Sequence, residues 1–162
     1  MAHLQVFTDG SVNTQLKVGY GAYLIVSDQS TPIDTLRNRV KIKRFEETSS
    51  TKLELQTLLW ALHETIALAD ASDITFTIYT DSQNIIGLPG RRIDLEKNNY
   101  FSSKNKRLNH YALYQKFYRL TSSIKCNLVK VVGHKVSSQK DEIDRLFGLV
   151  DKASRRALRE EF

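Results

Sequence analysis

The chain opens on a stretch that decides its fold, Leu4-Gln5-Val6-Phe7-Thr8-Asp9-Gly10-Ser11. Alternating, β-favouring residues run into an acid and then into glycine and serine, which predicts a strand that ends at Asp9. An Asp-Gly turn after a strand is common, so this stretch alone identifies no site. A second stretch has the same ending, Ile74-Thr75-Phe76-Thr77-Ile78-Tyr79-Thr80-Asp81-Ser82. The two together predict a pair of aspartates, each anchored at the end of a strand.

A third acid, Glu54, lies between these two strands. Ser49-Ser50-Thr51 offers helix N-caps, and leucines at helical spacing predict an amphipathic helix that continues to about Ala69. Glu54 falls in its first turn, where the helix dipole alone would favour an acid. It also lies close to the apolar face, so it can point along the seam between helix and sheet.

The remaining elements complete a layered α/β pattern. Strands predicted over 19–26 and 39–45 follow the first strand through short loops, which favours antiparallel pairing. The later elements are a helix over 109–120, a strand over 128–132 and a helix over 138–161, after a short helical turn over 82–86 that ends at Gly87-Leu88-Pro89-Gly90. The order predicts a five-stranded mixed sheet, three antiparallel strands and then two parallel ones, flanked by helices in one domain over 1–162. Trp60 is predicted to be a core residue.

Composition favours a globular protein with a modest bias toward polyanions. Lysine and arginine number 24 against 18 acids, which gives a formal net charge of +6. A single cysteine, Cys126, excludes an internal disulfide and fits a reducing compartment. With no signal-peptide pattern and no run of about 20 apolar residues, we expect a cytoplasmic protein without a membrane anchor. The sequence indicates no obligate protein partner.

Three carboxylates that converge would repel one another unless cations lie between them. A donor set made only of oxygen selects hard ions such as Mg²⁺ or Mn²⁺ over zinc. A pair of such ions can activate a water and stabilise the leaving oxygen in phosphodiester cleavage. Asp9, Glu54 and Asp81 are therefore candidate metal ligands of a nuclease.

The motifs that carry these acids resemble the type 1 ribonuclease H family over nearly the whole chain. They are Thr8-Asp9-Gly10-Ser11, Lys52-Leu53-Glu54-Leu55, Tyr79-Thr80-Asp81-Ser82-Gln83 and, after the fifth strand, Gly133-His134. The resemblance implies a ribonuclease H-like fold and hydrolysis of the RNA strand of an RNA–DNA hybrid with two Mg²⁺ or Mn²⁺ ions. It gives Asp9, Glu54 and Asp81 the role of metal-binding catalytic carboxylates. It gives His134 a role in proton transfer or product release.

The fourth carboxylate of the family lies on its last helix, where this sequence offers two acids. Asp144 has the usual spacing from His134, whereas Asp151 has the local pattern, with Val150 before it and small residues after it. The two acids are two helical turns apart and share a face. We favour Asp151, because Phe147 would hold the helix away from a site at Asp144.

Substrate contacts are expected from hydroxyls and arginines. Ser50-Thr51 replaces the asparagine pair of the family, and its hydroxyls can bond a phosphate or a 2′-hydroxyl. The family's tryptophan-rich handle is missing, and the basic stretch from Arg91 to Arg107 occupies its place. The expected nucleic-acid contacts are Ser11, Ser50, Thr51, Arg91 and Arg92. Two alternatives stay open: a binding module that has lost turnover, and a related nuclease that acts on DNA.

Overall fold

The computed structural model describes residues 2–28, 30–68, 74–132 and 141–162 of the chain. Strands and helices follow one another in these ranges as β1 (Ala2–Asn13), β2 (Val18–Val26), α1 (Ile33–Arg37), β3 (Lys41–Phe45), α2 (Ser50–Leu68), β4 (Ile74–Thr80), α3 (Gln83–Lys97), α4 (Tyr111–Ser122), β5 (Lys125–Lys130) and α5 (Glu142–Glu161). Among the described helices, none combines the length and apolar character needed to cross a bilayer.

The strands form one mixed sheet in the order β3-β2-β1-β4-β5. β2 pairs antiparallel with both β1 and β3. β4 pairs parallel with both β1 and β5, and these parallel neighbours are reached through helical connections. The predicted fold class, three antiparallel strands and then two parallel ones flanked by helices, is confirmed.

Each face of the sheet has its own apolar core. Successive residues of β1 point to opposite faces, so Val6 packs with residues of α2, α3 and α4 whereas Phe7 packs with residues of α5. Both side chains are fully buried. The sheet is therefore held from both sides, and α2 and α5 carry their acids to its edge from opposite faces.

Glycine in β2 lets α2 lie against the sheet. A Cβ at Gly21 would stand 2.1 Å from the Thr57 hydroxyl oxygen, so that no larger side chain fits without movement of the helix. The Thr57 hydroxyl itself donates to the Leu53 carbonyl one turn back, at 2.7 Å. This contact fixes the depth at which the first turn of α2, with Glu54, meets the sheet.

The prediction that the first strand ends at Asp9, before Gly10 and Ser11, is wrong. β1 continues to Asn13, because β2 stays paired with it through Asn13↔Val18. Gly10 lies opposite Gly21 in this ladder. The antiparallel partner supplies backbone hydrogen bonds that the local turn signal does not reveal.

The predicted break after residue 86 is also wrong. α3 runs from Gln83 to Lys97 and contains Pro89 in its interior. Proline cannot donate to the carbonyl four residues back, but Ile85 and Leu88 are buried against the core. The Tyr118 hydroxyl also donates to the Leu88 carbonyl at 2.7 Å. Tertiary packing therefore overrides the local helix-breaking signal.

Smaller differences concern element ends and one aromatic. β3 begins at Lys41 rather than at 39, β5 covers 125–130 rather than 128–132, and α1 was not predicted. Trp60 lies at the margin of the core. Its ring is half-buried and packs edge-on to the buried Tyr23, while its indole N–H donates to Glu64.

Candidate functional site

Asp9 lies where β1 separates from β4. The parallel pairing of these strands ends at Phe7↔Tyr79, whereas β1 stays paired with β2 at Asp9↔Ala22. One side of β1 is therefore open at Asp9, next to Asp81, the first residue after β4. Asp9 is 9% exposed, which makes it a buried carboxyl at an open strand edge.

The surroundings of Asp9 disfavour its charged form. Burial, the largest cause, and the negative charge of Asp81 raise the pKa of Asp9 to about 8 from 3.8. A hydrogen bond with the Asp151 carboxylate and the charge of Asp151 act in the same direction, against the Gly10 N–H that favours the anion. At neutral pH Asp9 needs either a proton or an added cation.

Glu54 is held at the same place from the other layer. It is half-buried in the first turn of α2, and burial, followed by the charge of Asp81, raises its pKa. The Ser82 hydroxyl donates to Glu54 and opposes this rise. Ser82 is itself buried, and its oxygen accepts from the Ile85 N–H as the N-cap of α3. The charge of Asp81 thus acts on both Asp9 and Glu54.

The two acids of α5 have different surroundings. Asp151 contacts Asp9, and its Oδ2 accepts from Arg155 at 2.7 Å. Asp144 belongs to a capping box at the start of the helix, where Asp141 accepts from its N–H and its carboxylate accepts from the Asp141 N–H. Seven residues separate the two acids, about 10 Å along the helix axis. The structure brings Asp151, not Asp144, to Asp9.

We refer to Asp9, Glu54, Asp81 and Asp151 as the carboxylate cluster. Its members interact in pairs. Among the described residues, no group of three or more histidine, cysteine, aspartate or glutamate side chains is already arranged to hold a metal ion. The donor set nevertheless fits Mg²⁺ or Mn²⁺, because it consists of oxygens only. The buried Asp9 is a carboxyl that a cation would allow to ionise at neutral pH.

The expected substrate-binding residues lie in two places. Ser50 and Thr51 are exposed in the first turn of α2, near Glu54. Arg91 and Arg92 lie on α3, where their guanidinium groups stack over tyrosine rings of α4. Arg91 also donates to Asn84, and Arg92 pairs with Glu96. These arginines are held in defined positions on the surface.

The Ser11 hydroxyl is directed at α5 rather than at open solvent. Its oxygen lies 3.3 Å from that of Ser154, which is fully buried. A contact of Ser11 with nucleic acid therefore stays a prediction. His134 lies outside the described residues, and so does its expected role.

Two residues of the site were not among the predicted ligands and contacts. Ser82 connects Glu54 to the start of α3, and Arg155 forms an ion pair with Asp151. Arg155 has a signal in the sequence, since a basic residue four positions after an acid on a helix is a common ion pair. Ser82 is adjacent to Asp81, but nothing local indicates that its hydroxyl reaches a residue of α2.

Comparison with known proteins points to one family. A family model described as RNase H matches residues 1–150. A structure of a foamy viral protease-reverse transcriptase in complex with dsDNA is similar, with a TM-score of 0.61 and 9% identity over 94% of this chain and 93% of that chain. A second, of the foamy viral enzyme in complex with RNA/DNA hybrid, gives a TM-score of 0.64 and 8% identity over 96% of this chain, which spans 19% of that chain. No curated protein sequence gives a significant match.

Proposed function

This chain belongs to the RNase H family, and we propose that it is a metal-dependent endonuclease that hydrolyses the RNA strand of RNA–DNA hybrids. The observation that carries the proposal is the buried Asp9 beside Asp81 and Asp151, with a pKa raised to about 8. A buried carboxylate close to other acids is costly to ionise, and cation binding offsets that cost. The similarity in fold to an enzyme solved with an RNA/DNA hybrid supports the choice of substrate.

We assign Asp9, Glu54, Asp81 and Asp151 as the residues that hold two Mg²⁺ or Mn²⁺ ions. When bound, the ions supply an activated water and stabilise the oxygen that leaves the phosphodiester. The Ser82 hydroxyl orients Glu54, and the contact between Asp151 and Asp9 ties the last helix to the first strand. His134 is proposed to assist proton transfer or product release.

The remaining proposals concern the substrate contacts and the bounds of the domain. We propose that Ser11, Ser50 and Thr51 contact the strand that is cut, and that Arg91 and Arg92 contact phosphates of the DNA strand. We propose residues 1–162 as one ribonuclease H-like domain. α5 extends beyond the matched range and carries Asp151 just after it.

Cleavage of a labelled hybrid tests the proposal. The protein and its Asp9→Asn variant are incubated with an RNA–DNA hybrid and Mg²⁺, beside duplex DNA and double-stranded RNA. We expect cleavage of the RNA strand of the hybrid, and a loss on the order of 10³-fold in the variant, because ligands of one metal centre act as a unit. Equal cleavage by both proteins would overturn the proposal.

The controls separate the two alternatives. Preferential cutting of duplex DNA would identify a DNA nuclease. Tight hybrid binding in EDTA, with no cutting after addition of Mg²⁺ or Mn²⁺, would identify a module that binds without turnover.

A further inference from the structure

A lysine and a glutamine form a hydrogen-bonded pair beside the carboxylate cluster. Lys130 is the last residue of β5 and lies opposite Thr80, the residue before Asp81. Gln83 begins α3, two residues after Asp81. The Lys130 Nζ donates to the Gln83 Oε1 at 2.8 Å. Both side chains are exposed.

This hydrogen bond determines what the pair offers to a ligand. The only acceptor atom of the Gln83 side chain is engaged by Lys130, so its amide presents the two N–H groups of Nε2. The ammonium has three N–H groups, of which one is used here. The two side chains together present hydrogen-bond donors and a positive charge, which fits an anion and not a cation.

Two cations on the helices that carry Glu54 and Asp151 have partners of their own. Arg155 is bonded to the carboxylate of Asp151 at 2.7 Å, and Lys52 donates to the Glu47 carbonyl at 3.0 Å. Within the described part of the chain, Lys130 forms no ion pair with a carboxylate. Its charge is therefore available at the edge where four acids would repel a polyanion.

We propose that Lys130 and Gln83 bind a backbone phosphate of the nucleic acid, next to the phosphodiester that lies at the carboxylate cluster. The inference rests on the proposed function and adds a substrate contact to it. A phosphate oxygen accepts from the Lys130 ammonium and from the Gln83 amide, which remain bonded to each other. The contact holds the strand by its backbone and is independent of base sequence.

Salt dependence of hybrid binding tests this contact. Binding is measured in EDTA, so that cleavage does not interfere, over a series of salt concentrations for the wild type, Lys130→Gln and Lys125→Gln. Lys125 is exposed at the opposite end of β5 and serves as the matched control. We expect Lys130→Gln to weaken binding. We also expect the slope of log K against log salt to become less negative by about 0.9, as for one lost phosphate contact. Lys125→Gln keeps the wild-type slope.

A second variant separates a substrate contact from a structural role. Gln83→Glu preserves an acceptor for Lys130 but replaces the amide donors with a carboxylate, so we expect weaker hybrid binding with unchanged thermal stability. Wild-type affinity and slope in both Lys130→Gln and Gln83→Glu would overturn the inference. A wild type that binds hybrid but never cuts it would instead refute the proposed activity and leave this contact intact.

Discussion

Two groups of side chains each include one acid of the helix α5, and their surroundings shift the pKa values of their acids in opposite directions. The carboxylate cluster includes Asp151, near the middle of the helix. The second group, the Arg44 cluster, consists of Tyr20, Arg44, Glu46 and Glu161, near the end of the helix. Burial and neighbouring acids raise the pKa of Asp9 to about 8, whereas Arg44, followed by the Tyr20 hydroxyl, lowers the pKa of Glu161 to about 2.

The two groups differ in the source of the positive charge that balances the acid. Arg44 donates through Nε to one oxygen of Glu161 at 2.7 Å and through a second nitrogen to the other oxygen at 3.0 Å. This two-point contact satisfies the acid within the chain. Asp9 instead has acids as its charged neighbours and little water. An acid that is paired with a cation within the chain is typical of a structural contact, whereas an acid whose pKa is strongly raised by burial and by other acids is typical of a functional site.

The largest expected effect is on cleavage, and it distinguishes two acids of the same helix, α5. Asp151→Asn should lower hybrid cleavage on the order of 10³-fold, because it removes a proposed metal ligand. Glu161→Gln should keep activity close to the wild type. Rate measurements at saturating Mg²⁺ check both variants, and equal losses in the two would remove the distinction between the clusters.

Asp144→Asn distinguishes the two candidate acids of α5. It keeps an acceptor for the Asp141 N–H but removes a negative charge from the first turn of α5, so we expect the free energy of unfolding to fall by about 0.3–1 kcal/mol while cleavage persists. Unfolding in urea and the cleavage rate are measured together. A stable Asp144→Asn variant without activity would favour Asp144 as the fourth ligand.

The third prediction concerns the effect of Mg²⁺ on thermal stability. Mg²⁺ at about one hundred times its dissociation constant should raise the free energy of unfolding by about 2.7 kcal/mol, and hence Tm by about 5–10 °C. Asp9→Asn should lose most of this rise, and Glu161→Gln should retain it. Thermal unfolding with Mg²⁺ and with EDTA measures the difference; an undiminished rise in Asp9→Asn would show that the ion binds elsewhere.

The fourth prediction concerns the pH dependence of stability that the raised pKa of Asp9 produces in the absence of metal. Between its ordinary value of 3.8 and about 8 the folded protein retains a proton on Asp9 that the unfolded chain has lost. The free energy of unfolding therefore falls as pH rises through this window, by at most about 1.4 kcal/mol per pH unit for one proton. Urea unfolding in EDTA at several pH values should show a shallower fall for Asp9→Asn. If the free energy of unfolding fell equally with pH in the two proteins, Asp9 would not be the group that retains a proton in the folded state.

The smallest effect belongs to the Arg44 cluster and has the opposite sign. The pKa of Glu161 lies below its ordinary value of 4.5, so its contribution to stability is present above pH 4.5 and is lost as pH falls toward 2. Because this acid lies at the surface, we expect a small effect that high salt reduces. Thermal unfolding between pH 2 and 5 should show a weaker pH dependence in Glu161→Gln. A dependence identical to that of the wild type would mean that the contact with Arg44 contributes nothing in solution.

The sequence predicts the sheet and the positions of its acids because both depend on local patterns. Alternating residues followed by Thr-Asp placed Asp9 and Asp81 at the ends of two strands, and leucine spacing placed Glu54 at a helix start. The motif around Asp151 favoured this acid over Asp144, and the structure places it beside Asp9. Their role as metal ligands stays a prediction.

Other features depend on partners that are distant in the chain. β1 passes through Gly10 because β2 pairs with it, and α3 passes through Pro89 because Tyr118 and the core hold its turns. The half-buried Trp60 packs against Tyr23, which is far from it in sequence. A sequence pattern describes neighbours along the chain, and these contacts join residues that only the folded sheet brings together.

β1 pairs with β4 over a shorter range than with β2, so the position of Asp9 depends on the register between these strands. β1 shares a ladder with β4 only as far as Phe7 and with β2 as far as Asn13, so that the acid lies in a notch between two diverging strands. A slip of one residue along this ladder would turn Asp9 to the opposite face and bring Thr8 or Gly10 into the notch. An insertion or deletion in the first strand would thus dismantle the site even in a chain whose sheet still assembles.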